Sequence, residues 1–113
     1  MSLHNHSILI IDQEIDAFVT ALHVVLVGVG AKTVIVVGEE RAIELGKQAK
    51  FSAVLIGTPP LLNRELFNAF SGTPIIFYDQ ATNVVPIKRI QVAPVPRDIP
   101  AILRTLEKTL RAS

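Results

Sequence analysis

The sequence predicts a single α/β domain built around a parallel sheet, and three observations carry that expectation. Five short apolar runs, residues 8–11, 34–37, 53–56, 75–78 and 90–92, are rich in β-branched residues and lack polar alternation. That is the pattern of strands covered on both faces. Segments of helical period fall between most of these runs, and such alternation calls for parallel strands joined by right-handed crossovers. Finally, the chain has 113 residues, half of them apolar and only 5% aromatic. This length suits one domain, 1–113, whose core is built from Val, Ile, Leu and Ala.

Each helix has its own signal. After the first run, Ile15, Phe18, Leu22, Val25 and Val29 recur at helical spacing, with Gly30 placed to end the helix. After the second, residues 39–50 carry Ala42, Ile43, Leu45, Gly46 and Ala49. After the third, Leu62, Leu66 and Phe70 form one stripe. The connection over residues 79–89 is shorter than a helical crossover usually needs, and Asn83, Val84, Val85 and Pro86 are poor helix formers. The helix expected there is shortened or missing. The last helix is the most clearly amphipathic, with Ile99, Ile102, Leu103, Leu106 and Leu110 on one face, Asp98 as N-cap and Pro100 in the first turn. Residues 1–5 are expected to be disordered, outside the fold.

Several function classes have no support. Eleven basic against ten acidic residues give a net charge of +1 with no basic cluster, so direct nucleic-acid binding by this domain is not expected. There is no Cys, which removes disulfides, thiolate metal sites and Cys catalysis and fits a cytoplasmic chain. The most apolar stretch, residues 17–29, is too short for a membrane span and is interrupted by Thr20 and His23. The Gly28 to Thr33 stretch, GVGAKT, looks like a phosphate loop only superficially. Ala31 separates Gly30 from Lys32, and the stretch ends a helix where a phosphate loop would begin one. His4, His6 and His23 are the only histidines, and no Ser, His and Asp fall together at strand ends.

In an open α/β sheet ligands bind at the carboxyl ends of the strands. The residues there are Asp12 and Gln13, Gly38 and Glu39, Gly57 and Thr58, Asp79 and Gln80, and Ala93 and Pro94. The segments SILIIDQEIDAF, FSAVLIGTPP, PIIFYDQA and IQVAPV, which together sample nearly the whole chain, resemble the receiver domains of response regulators. The resemblance implies a flavodoxin-like three-layer α/β/α sandwich with strand order 2-1-3-4-5. It also implies a phosphorylation site, and the residues at its positions depart from the pattern. The acidic pair is Asp12 with Gln13, the phospho-acceptor position is Gly57, the hydroxyl position carries Asp79, the Lys position carries Ala93, and the switch aromatic falls on Ile90. A phosphoaspartate needs a carboxylate nucleophile, and one remaining carboxylate is a poor Mg²⁺ site. Pro94 persists without its Lys, so a cis Ala93–Pro94 bond is expected as a remnant of the fold.

The resemblance therefore implies a non-phosphorylatable regulatory domain that is not an enzyme, needs no cofactor and works through protein contacts. Its partner would be an effector domain of the same chain or another protein, or a second copy in a homodimer. Ala17, Val24 and Val27 form a second apolar stripe on the first helix, and Arg104, Lys108 and Arg111 a basic edge on the last; these are the candidate interface surfaces. Degenerate receivers of this appearance stand at the N-terminus of bacterial enhancer-binding transcription activators, including flagellar regulators. Two other readings stay open at this point: a stand-alone interaction module of a signalling assembly, and a small metal-dependent enzyme using Asp12 and Asp79.

Overall fold

The computed structural model describes residues 2–57, 64–79, 90–92 and 96–112, with the backbone alone at 90–92 and 112. The apolar runs become β1 (Ser7–Asp12), β2 (Lys32–Val37), β3 (Ala53–Ile56), β4 (Ile75–Phe77) and β5 (Ile90–Val92). All pair in parallel, in the order β2-β1-β3-β4-β5. The helices are α1 (Ala17–Gly28), α2 (Glu39–Gln48), α3 (Arg64–Ala69) and α4 (Ile99–Ala112).

Side chains alternate between the two faces of a strand, and the sheet divides its apolar residues accordingly. Ile8, Ile10, Leu55, Ile76 and Tyr78 pack with Val19, Leu22 and Leu26 of α1 and Ile102 and Leu106 of α4. Leu9, Ile11, Val54, Ile56, Ile75 and Phe77 pack with Ala42 and Ile43 of α2 and with Leu66 and Phe70 beside and within α3. Two helical layers thus enclose the sheet, which is the expected α/β/α sandwich. Within the second layer Gly46 lets α2 approach α3, because a Cβ there would stand 2.8 Å from the Phe70 ring.

Four features differ from the sequence reading or sharpen it. β2 is covered only in part: it is the edge strand, Ile35 and Val36 pack half-buried against the two layers, and Val34 and Val37 are exposed. On α1 the buried line is Val19, Leu22 and Leu26, while Ile15 is exposed. A helical stripe read from spacing alone can slip by one residue when nearly every residue is apolar, as in AFVTALHVVLVG. Residues 2–5 are part of the fold. Leu3 is buried, its N–H donates to the Val29 carbonyl at 2.7 Å, and the His4 ring lies against Gly30. Gly30 itself acts as expected: with φ at +98°, its N–H donates to Val27 and that of Ala31 to Leu26, closing α1 in a Schellman motif.

Asp98 caps α4, accepting from the Ala101 N–H at 3.0 Å. The expected shortened helix over residues 80–89, the Ala93–Pro94 bond and Leu62 lie outside the described residues.

Candidate functional site

Parallel register brings the ends of β1, β3 and β4 to one place. Ile56 pairs with Phe77, so Gly57 and Tyr78 follow side by side, and the Gly57 N–H donates to the Ile11 carbonyl beside Asp12. The Tyr78 hydroxyl donates to Asp12 Oδ2 at 2.6 Å, while Asp12 Oδ1 accepts from the Gln13 N–H at 2.7 Å. Both residues are buried. A Cβ on Gly57 would collide with the Asp12 carboxylate and stand 2.6 Å from the Tyr78 hydroxyl. The space beside the Gly57 backbone is therefore filled by a hydrogen-bonded pair from the neighbouring strands. Burial, and after it the Asp12 carboxylate, hold the Tyr78 phenol well above its ordinary pKa.

A second set of residues covers this pair. Phe18 lies against Tyr78, with ring centroids 5.5 Å apart and planes tilted by 36°. The Arg97 guanidinium sits 4.7 Å over the Phe18 ring, a cation–π arrangement. Arg97 also pairs with Asp79 at 2.9 Å and with Asp16, and its N–H donates to the Tyr78 carbonyl at 2.7 Å. These contacts hold Arg97 at a φ of +51°, in a left-handed region that non-glycine residues seldom occupy. Asp16 caps α1, accepting from the Val19 N–H at 2.9 Å. That bond first, and the Arg97 charge next among the favourable contacts, hold its carboxyl below the ordinary aspartate value.

The site residues expected from sequence thus separate. Asp12 and Gly57 meet. Gln13 is exposed and reaches Asp12 only through its backbone. Asp79 turns to Arg97 and leaves the hydroxyl beside Asp12 to Tyr78. Ile90 pairs with Ile75 in the sheet, and Ala93 lies outside the described residues. Ala17, Val24 and Val27 are exposed on α1, as are Arg104 and Lys108 on α4.

A divalent cation does not fit this arrangement. Both Asp12 oxygens are engaged by donors within the chain, and Asp79 is ion-paired elsewhere. Among the described residues no group of three His, Cys, Asp or Glu side chains is placed to hold a metal.

Sequence reasoning missed Tyr78, Phe18, Asp16 and Arg97. One signal was present: a tyrosine ending an otherwise hydrocarbon run, Ile75 to Phe77, must find a partner for its hydroxyl.

No family model and no curated protein matches the chain. Among solved structures it is similar to the crystal structure of a response regulator receiver protein from Sinorhizobium medicae WSM419. The TM-score is 0.69, the identity 22%, and 98% of each chain is covered. The fold of the described residues is therefore receiver-like. No helix among the described residues is long and apolar enough to cross a membrane.

Proposed function

We propose that the chain is a receiver-like regulatory domain that carries out no phosphoryl transfer and acts through protein contacts. The observation that carries this reading is the occupied space at Gly57. The position that would present a phospho-accepting carboxylate has no side chain, and the Tyr78–Asp12 pair stands where that carboxylate would extend. Gln13 in place of a second acid, and Ala93 in place of Lys, support the same reading, because metal binding and phosphate charge compensation both lose their groups. Receiver domains typically regulate by contact with an effector, so the exposed α1 stripe and the basic edge of α4 are the surfaces offered. A parent protein of the enhancer-binding activator class would bind DNA and nucleotide in other domains. A reading frame that continues into an ATPase and a helix-turn-helix would support that parent.

The test is incubation with acetyl phosphate and Mg²⁺, followed by intact-mass measurement. No covalent phosphoryl adduct is expected, and the appearance of one would overturn the proposal.

A further inference from the structure

β2 ends the sheet, and among the described residues no strand pairs with its outer side. Natural edge strands are usually blunted by charge, proline, a bulge or short length. β2 has six residues, KTVIVV, with one charge at its start and no proline. Its register with β1 runs unbroken from Ser7↔Lys32 to Asp12↔Val37. Val34 and Val37, on opposite faces of the strand, are each 43% exposed.

The direction of the backbone groups decides what can cover this edge. The Lys32 N–H donates to the His6 carbonyl and the Gly38 N–H to that of Asp12, so the even-numbered residues face β1. Strand alternation then points the N–H and C=O groups of Thr33, Ile35 and Val37 outward. These three residues are evenly spaced about Ile35. An antiparallel partner of the same sequence, related by a two-fold axis beside Ile35, sets Ile35 opposite Ile35 and Thr33 opposite Val37 at both ends. Every outward group on both strands then gains a partner. On the α2 face the same register sets Val34 opposite Val36. Lys32 falls opposite Gly38, two residues before the exposed, oppositely charged Glu40 in the first turn of α2.

The two-fold axis is perpendicular to the sheet, so each helix keeps its face. α1 packs against β1 and β2. Two copies of α1 would therefore lie side by side, with an axis separation of about 10 Å estimated from strand spacing. Val24 and Val27, 62% and 51% exposed, lie on the outer surface of α1.

We propose that the occupant of this edge is a second copy of the chain, joined by antiparallel β2–β2 pairing into a continuous ten-stranded sheet. This deepens the reading of the domain as an interaction module and rests on it for its purpose, but the pairing does not depend on the state of the Gly57 site.

The absence of Cys makes the register testable. Opposed hydrogen-bonded residues have Cα atoms about 5.5 Å apart, within disulfide reach. Ile35→Cys is therefore expected to form a disulfide-linked dimer on mild oxidation, at least tenfold faster than the exposed control Glu44→Cys. Sedimentation velocity should show a concentration-dependent dimer of the unaltered chain. Val37→Lys, at an already exposed position, should weaken it at least tenfold, while the thermal unfolding midpoint measured at a concentration where both proteins are monomeric stays unchanged. Three outcomes would overturn the proposal: a chain that stays monomeric at millimolar concentration, leaving the edge to a strand of another protein; a dimer indifferent to Val37→Lys; or equal cross-linking at Glu44→Cys. A phosphoryl adduct in the acetyl phosphate experiment would overturn the functional reading and leave this pairing standing.

Discussion

A methyl group added at Gly57 meets the Asp12 carboxylate and the Tyr78 hydroxyl in a fully packed place. Gly57→Ala is therefore expected to destabilise the fold by about 1–3 kcal/mol, the usual cost of overpacking. Tyr78→Phe should cost a similar amount, about 1–3 kcal/mol, because it leaves Asp12 Oδ2 without its donor inside the protein. The two changes share atoms, so the double variant should depart from additivity; urea unfolding of the four proteins measures this. A strictly additive cycle would mean that the hydroxyl and the Gly57 backbone do not compete for one space. That position 57 carries no side chain was legible in the sequence. The occupant was not, since it comes from a residue 21 positions away whose hydroxyl is placed only by the β3–β4 register.

At the scale of elements, the N-terminus of α1 shows how one cap serves two structures. Asp16 accepts from Val19 within the helix and pairs with Arg97 across the sheet end. Its carboxyl lies below the ordinary aspartate value. The ionised form is thus favoured by folding. That contribution is complete above the unfolded value, about pH 4, and is lost as the pH falls through the lower folded value. Thermal unfolding midpoints measured from pH 6 to pH 2 should fall less steeply for Asp16→Asn than for the unaltered chain. Equal slopes would show that the cap and the pair contribute nothing to acid stability. The helix ends were readable from sequence at Gly30 and Asp98, where one residue type solves a local backbone problem. The buried face of α1 was not, because apolar residues occur all round it and the choice among them is made by the sheet beneath. The exposure of Val34 and Val37 on β2 was missed for a related reason: Val and Ile fill a strand equally well at the centre of a sheet and at its edge, so composition alone does not separate the two.

For the whole molecule, the alternation of apolar runs and helical segments determined the layers, and the family resemblance supplied the strand order that the structure shows. The chain start was the exception. Leu3 closes the bottom of the core under α1 and α4, so Leu3→Ala is expected to lower stability by about 2 kcal/mol, the lower end for loss of a buried leucine. Guanidinium unfolding would reveal it, and an unchanged midpoint would mean that the segment is a passive cover. The filled space beside Gly57 has a consequence in time. A phosphorylated regulator carries a clock, because its adduct hydrolyses and the signal decays at a rate set by chemistry. A domain whose pocket is held by its own tyrosine has no adduct to lose. On the proposed reading, the duration of its output is set by how long the polypeptide survives and how many copies the cell makes.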